Sequence, residues 1–163
     1  MLLKTSLFAL LACVSLAIQA APPAMPDQFG KELGLQNYSG QALLVIVVSA
    51  RKARHIERWE QALRKKYPHL LSVRVADVSS EPKPDFEQVA KKLRTKAPKD
   101  VSILIDMDNR WALEYELNTD EPCLLIFSPE HEITAQFRGR AKSAQIEAVV
   151  TALQPYFDQQ TTS

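Results

Sequence analysis

The sequence predicts an α/β fold formed by a single domain. Short apolar runs alternate along the chain with segments in which apolar residues recur every three or four positions. The clearest run, 42–48 (ALLVIVV), is continuously apolar, as is typical of a central strand covered on both faces. The segment after it, 53–67, predicts an amphipathic helix with one apolar face formed by Ile56, Trp59, Leu63 and Tyr67.

The middle of the chain continues the same alternation. Apolar and polar residues alternate over 72–78, which predicts a second strand. A second helix is predicted to open at Asp85, with Gln88 in the reciprocal capping position, and to run to Lys96. The segment 101–105 predicts a short strand. A short helix follows it and carries Trp111, Ala112 and Tyr115.

The last third predicts a hairpin and a closing helix. Pro122 leads an apolar strand, 123–127, and a turn at 128–131 joins it to a return strand, 132–138. Ser143 is predicted to cap the last helix. One face of that helix is apolar and consists of Ile146, Val149, Val150, Leu153 and Phe157.

The first twenty residues have the order of a secretory signal. Lys4 precedes an apolar core, and alanines precede a turn-forming segment. Cleavage is predicted after Ala20, with Ala17 as the alternative, which would make the protein periplasmic or secreted. The residues just before Cys13 resemble a lipobox, so a lipoprotein anchored through Cys13 is the other possibility. The apolar core continues beyond Cys13, which argues against it.

Four segments are predicted from these patterns. They are a signal peptide (1–20), an N-terminal extension leading into the fold (21–41), the folded domain (42–157) and a disordered tail (158–163). No segment after the signal approaches the ~20 apolar residues that a membrane span requires.

Charge and cysteine content exclude several classes of function. Removing 1–20 takes away Lys4 and no acid, which leaves equal numbers of basic and acidic residues. A formally neutral chain has no large field to attract nucleic acid, so no nucleic-acid partner is predicted. Cys13 leaves with the signal, and Cys123 alone cannot form a disulfide within the chain.

Several weak motifs occur together in the back half of the chain. The strand and turn 103–109 (ILIDMDN) is followed by 111–117 (WALEYEL), a helix with a tyrosine and an aliphatic residue near its end. Pro122 then leads a strand, 128–133 forms a hairpin, and Gly139 precedes the last helix.

This succession resembles the thioredoxin-like fold in its redoxin, or peroxiredoxin-type, form. The resemblance extends over 27–157 and implies a three-layer sandwich, a central mixed sheet flanked by helices. It also implies that Pro122 stands where that family carries its cis-proline.

The chain departs from that family at the position of the catalytic thiols. Redoxins carry a Cys-x-x-Cys, or one peroxidatic cysteine, where the first core strand passes into the long helix, and the helix N-terminus activates the thiol. Those positions fall near Lys52 and His55, where the sequence reads RKARH. The chain therefore resembles exported relatives that lack the cysteines, and it is not predicted to be a thiol enzyme of the usual kind.

A basic cluster occupies the place of the missing thiols. It consists of Arg51, Lys52, Arg54 and His55. The helix dipole opposes cations there by about 0.3–1 kcal/mol each. The cluster is either a site for a partner protein or a small anion, since free N–H groups and basic side chains suit a carboxylate or phosphate, or a solvated basic face offset by the nearby acids Glu57 and Glu60.

Glu121 and Pro122 are predicted to border the same site. The simplest partner for Glu121 is Arg51, Lys52 or Arg54, and a cis peptide at Pro122 would support the fold assignment directly. The alternative is an ordinary loop acid before a proline that starts a strand.

Cys123 has two interpretations, and each belongs to a different function. As a reactive thiol it would make the protein a one-cysteine reductase or peroxidase that uses an external thiol. As a buried small hydrophobe it would leave a non-catalytic module that binds a partner or anion at the former active-site face.

No metal or cofactor is predicted. His55, His69 and His131 stand in different elements without ligand spacing. Asp106 and Asp108 lack the rest of a calcium loop and are interpreted as turn and cap residues.

Overall fold

The computed structural model describes residues 24–157, and it confirms the predicted α/β class. Short turns of 3-10 helix lie at Leu35–Tyr38 and Ala50–Lys52. The strands are β1 (Met25–Pro26), β2 (Glu32–Leu33), β3 (Leu43–Ser49), β4 (Leu71–Asp77), β5 (Ile103–Asp106), β6 (Cys123–Phe127) and β7 (Ile133–Arg138). The helices are α1 (Arg54–Lys66), α2 (Phe86–Lys96), α3 (Arg110–Glu114) and α4 (Ser143–Phe157).

Element boundaries agree with the predictions within about two residues, with two corrections at helix starts. The Asp85 carboxylate accepts a hydrogen bond from the Gln88 amide at 2.9 Å, so Asp85 caps α2 as predicted. The long helix does not begin at Ala53, because a 3-10 turn precedes it and α1 starts at Arg54. Ser143 is the first residue of α4 rather than its cap.

The central sheet contains five strands in the order β5-β4-β3-β6-β7. Strands β3, β4 and β5 are parallel, and β6 and β7 run antiparallel to their neighbours. The middle strand, β3, is buried along its whole length, as its continuous apolar sequence predicts.

Helices cover both faces of this sheet, which makes the predicted three-layer sandwich. Alternate residues of a strand point to opposite faces. The face that includes Val45 packs against α3 and the N-terminal segment, and the face that includes Ile46 packs against α1 and α4. Because Ala76 of β4 pairs with Val48, α2 packs on the same face as α1. Trp59 and Trp111 are both core residues, as predicted.

The N-terminal segment covers the β5 edge of the sheet. Asp27 forms an isolated bridge with Leu104, and its buried carboxylate accepts hydrogen bonds from the amides of Phe29 and Lys31 and from the Ser102 hydroxyl. The segment predicted as an extension therefore packs on the sheet from Met25 onward.

Several predictions fall outside the described residues. The signal peptide, Cys13 and the tail at 158–163 all lie there. Within 24–157, no helix has the length and apolar character to cross a bilayer.

Candidate functional site

Three segments meet where β3 passes into α1, and we call the surface they form the helix-start face. They are 50–55, the turn 121–122 before β6, and the loop 139–142 after β7. Gly139 links the second and third of these segments to α1, because its carbonyl accepts a hydrogen bond from Trp59 Nε1 at 3.0 Å and its amide donates to the Pro122 carbonyl at 2.9 Å. Its φ of 121° is one that other residues rarely adopt.

The start of α1 carries no side-chain cap. The amide of Ser49, the last residue of β3, donates to the Thr119 carbonyl at 2.8 Å and so ties the strand end to the loop before β6. Ala53 occupies the cap position in a helical conformation, and no side chain accepts from the first amides of α1. The first helical turn therefore presents its basic side chains without a local carboxylate cap.

The predicted basic cluster is divided between two sides of α1. Arg51 and Arg54 line a cleft between α1 and α2, whereas His55 lines a smaller depression on the other side. Lys52 lies close enough to His55 for its charge to lower the pKa of that imidazole. Because successive residues of an α-helix point about 100° apart, Arg54 and His55 line different concavities, and the single site predicted for the cluster stays a prediction.

The depression on the His55 side is lined largely by basic groups. Its volume is about 330 Å³, and its walls are His55, Arg58, Arg140, Ala141 and Lys142, with no carboxylate among them. Ala141 is buried in the core between α1 and α4, so the backbone that carries Arg140 and Lys142 is anchored.

Sequence reasoning missed three of these residues. Arg58 lies one turn beyond His55 on α1, and Arg140 and Lys142 lie in the loop that precedes α4. The sequence signal was present: three of the five residues in 138–142 (RGRAK) are basic, beside the glycine that carries the family resemblance.

His55 is the titratable group of the depression. Partial desolvation of the ring lowers its pKa, the cations Arg140, Arg54 and Lys52 lower it further, and Glu121 opposes them. Its Nε2 is buried and has no hydrogen-bond partner among the described residues. The site therefore combines an orphaned imidazole nitrogen with an excess of positive charge, which an anion would balance.

Glu121 does not pair with the cations predicted for it. Its carboxylate lies 3.8 Å from Arg138 Nε, in an ion pair that is about half exposed. The strand register explains this choice, because Arg138 stands opposite Cys123 in the β6–β7 pair and so lies beside the turn that carries Glu121.

The predicted cis peptide at Pro122 is also wrong. No peptide bond among the described residues is cis. A proline position alone does not decide the isomer, because the two forms of an X–Pro bond differ by only about 0.5–1 kcal/mol. Pro122 still borders the helix-start face through its bond to Gly139.

The acids predicted to offset the cluster have different roles. Glu60 is buried and forms an ion pair with Arg74, so it is not available to the helix start. Glu57 is exposed, lines the cleft between α1 and α2, and accepts a hydrogen bond from the Gln61 side chain.

Cys123 is 1% exposed and lies at the start of β6, opposite Val47. Its Sγ is 3.2 Å from the Asn118 carbonyl oxygen, to which the thiol donates. Burial raises the pKa of the thiol, against smaller opposing effects of Arg138 and the Asn118 hydrogen bond. Burial with a raised pKa favours the interpretation of Cys123 as a packing residue.

Cys123 is therefore expected to resist thiol reagents in the folded protein. In a Cys13→Ser background it is the only thiol, so titration with a chromogenic disulfide at neutral pH reports on it alone. We expect labelling to follow unfolding and to be complete only in denaturant. Rapid stoichiometric labelling of the native protein would contradict this.

No described group of three or more His, Cys, Asp and Glu side chains within 24–157 is arranged to hold a metal ion. Asp106 instead caps α3, because its two carboxylate oxygens accept from the amides of Arg110 and Trp111, each at 2.9 Å. Asp106 thus satisfies the first amides of α3 as a cap residue would, although Asn109 occupies the cap position.

Comparison with known proteins identifies the fold. No family model matches the chain, and no curated protein matches it in sequence. Among solved structures, it is similar to the pneumococcal exposed lipoprotein thioredoxin Etrx1 of Streptococcus pneumoniae, with a TM-score of 0.64 and 12% identity over 81% of this chain and 98% of that one.

Two further structures agree. StoA from Bacillus subtilis gives a TM-score of 0.59 and 18% identity over 83% of this chain and 98% of that one. Peroxiredoxin Q from Xanthomonas campestris gives a TM-score of 0.59 and 14% identity over 85% of this chain and 97% of that one. The protein therefore has a thioredoxin-like fold of the redoxin type, and identities this low establish the fold alone.

Proposed function

We propose that this protein is an exported, redox-inactive thioredoxin-like module. Its helix-start face holds an anionic group, either a free small anion or an acidic group of a partner protein. The observation that carries the proposal is the depression lined by His55, Arg58, Arg140 and Lys142 without a carboxylate. Charge-assisted hydrogen bonds from such groups are among the strongest polar contacts a protein makes.

Redox inactivity is supported by what stands at the start of α1. The chain has two cysteines, and neither lies between β3 and α1. Cys123 is buried, and burial raises its pKa. A nucleophilic thiolate needs the opposite environment, one that is exposed and electropositive.

Export is supported by the signal-like order of the first twenty residues. One structural relative, Etrx1, is described as an exposed lipoprotein thioredoxin. Cleavage after Ala20 would release a periplasmic or secreted protein, and lipidation at Cys13 is the alternative.

Sulfate is a suitable probe for the anion site, because it remains divalent across the pH range of interest. We expect saturable binding by calorimetry and a matching rise in melting temperature against chloride at equal ionic strength. The variant Arg140→Ala/Lys142→Ala should weaken sulfate binding by about fivefold or more, since each exposed cation contributes up to about 1 kcal/mol. The control Lys91→Ala/Lys99→Ala removes two exposed lysines outside the depression. Equal losses in both variants would refute the site.

Sulfate binding should strengthen as the pH is lowered from neutral, because a bound anion favours the protonated form of His55. In the free protein, desolvation and the cations Arg140, Arg54 and Lys52 lower the pKa of His55, so protonation of the imidazole is disfavoured until an anion binds. A bound anion favours the protonated form, and proton uptake therefore accompanies binding at lower pH. His55→Gln should flatten this dependence, and an unchanged pH profile in that variant would remove His55 from the site.

A further inference from the structure

A second, larger concavity lies on the other side of α1. It is the cleft between α1 and α2, with a volume of about 810 Å³, inside the ~300–1,000 Å³ range of small-molecule sites. Both helices pack on the same face of the sheet. α1 packs against α4 and α2 against β5, which leaves the space between them open to solvent.

The cleft has an apolar floor. Ile56 contributes from α1, Val89 and Leu93 from α2, and Ile103 from β5. These side chains are largely buried, and three alanines, Ala50, Ala53 and Ala97, also line the cleft. An apolar ligand body resting on this floor would leave water, at about 25 cal/mol per Å² of apolar surface.

The rim of the cleft carries an excess of positive charge. Arg51, Arg54, Lys92 and Lys96 line it, and none of the four forms an ion pair within residues 24–157. The acids on the lining are Glu57 and Glu81. Arg74 also borders the cleft, but Glu60 neutralises it.

We propose that this cleft binds a small amphipathic anion, a molecule with an apolar chain or ring and a single carboxylate, sulfate or phosphate head. The apolar body lies over Ile56, Val89 and Leu93, and the head meets the cations of the rim. The positive charge of the rim favours an anionic head group, and the apolar floor favours a ligand that also has an apolar body. This site is distinct from the sulfate site of the proposed function, because it lies on the opposite side of α1 and shares no lining residue with it.

Straight-chain carboxylates below their micellar concentrations test both parts of the proposal. Laurate should bind saturably at one molecule per chain by calorimetry. Octanoate and decanoate should bind more weakly, by about fourfold for each buried CH₂ that is lost. Acetate should not bind measurably, and dodecanol, which lacks the charge, should bind at least about fivefold more weakly than laurate. Equal binding of dodecanol and laurate, or a stoichiometry above one, would overturn the proposal.

Variants locate the binding and separate it from the sulfate site. Lys92→Ala/Lys96→Ala should weaken laurate by about fivefold and leave sulfate binding unchanged. Arg140→Ala/Lys142→Ala should weaken sulfate binding and leave laurate binding unchanged. Lys91→Ala/Lys99→Ala should change the binding of neither ligand. Circular dichroism and melting curves verify that each variant is folded. If laurate binds Lys92→Ala/Lys96→Ala as tightly as the wild type, the cleft is not the laurate site. If the wild type binds laurate as expected and does not bind sulfate, only the proposed function is refuted.

An acidic segment of a partner protein is the other occupant that this charge pattern could accept. Backbone amide shifts distinguish the two, because laurate should perturb 50–57 and 89–98. An acidic peptide that perturbs these amides under conditions in which laurate does not would overturn the small-molecule proposal.

Discussion

Replacing Trp59 with alanine is expected to lower the free energy of unfolding by about 3–5 kcal/mol. Trp59 is fully buried between α1 and the central sheet, in the core that α4 closes. Its Nε1 also donates to the Gly139 carbonyl, so the substitution removes both a large buried ring and the link between α1 and the loop after β7. Urea unfolding followed by circular dichroism measures the change.

Trp59→Phe separates packing from hydrogen bonding. Phenylalanine keeps much of the apolar volume and leaves the Gly139 carbonyl without its indole donor. We expect a smaller loss of stability than for Trp59→Ala, accompanied by weaker sulfate binding, because Arg140 and Lys142 lie within three residues of Gly139. A Trp59→Ala protein as stable as the wild type would contradict the core assignment.

Glu60→Ala is expected to destabilise the protein by a similar amount, about 3–5 kcal/mol, because it leaves a largely buried arginine without its counter-ion. Arg74 Nε donates to Glu60 at 2.9 Å, and a second guanidinium nitrogen contacts the other carboxylate oxygen. The two side chains are only 14% and 6% exposed. Ser72 adds a further hydrogen bond to the same carboxylate.

Two variants test the cause of that loss. Glu57→Ala removes an exposed acid from the same helix and should change the free energy of unfolding by no more than about 0.5 kcal/mol. Glu60→Leu combined with Arg74→Met replaces the ion pair with apolar side chains of similar size and should recover most of the stability. If the double variant were as unstable as Glu60→Ala, an unpaired buried charge would not be the cause.

α1 links these effects to the candidate sites. One side of the helix carries Trp59 into the core, and the first turn carries Arg54 and His55 toward two different concavities. In a redoxin the same turn would present a thiol that the helix terminus activates. Here that turn carries no cysteine, and the cations around it are the groups on which the proposed anion site rests.

Local patterns predicted most of the fold. The apolar run of β3 reflects a strand that is buried along its length, and the three- and four-residue spacing on α1 reflects one buried helix face. The bounds of both elements were predicted within two residues. The cap at Asp85 depends on a contact three residues away and was also predicted. By contrast, the hydrogen bond from Ser49 to Thr119, which ties the end of β3 to the loop before β6, joins residues far apart in sequence and was not predicted.

The candidate site was predicted only in part, for reasons of geometry. Arg51, Lys52, Arg54 and His55 were recognised as a cluster because they are adjacent in sequence. Their division between two sides of α1 follows from the helical rotation and from the neighbours on each side. Those neighbours, such as Lys92 in the cleft and Arg140 in the depression, come from elements dozens of residues away.

The sequence by itself determined the α/β class, the order of the elements and the absence of a thiol where β3 passes into α1. These depend on residue type and local spacing, which the chain carries directly. Only the tertiary structure decided that Glu121 pairs with Arg138, that Glu60 pairs with Arg74 and that Arg54 and His55 line different concavities. Each of these depends on segments that strand register and helix packing bring together. Such an arrangement forms only when the sheet and its helices have assembled, so local sequence does not predict it.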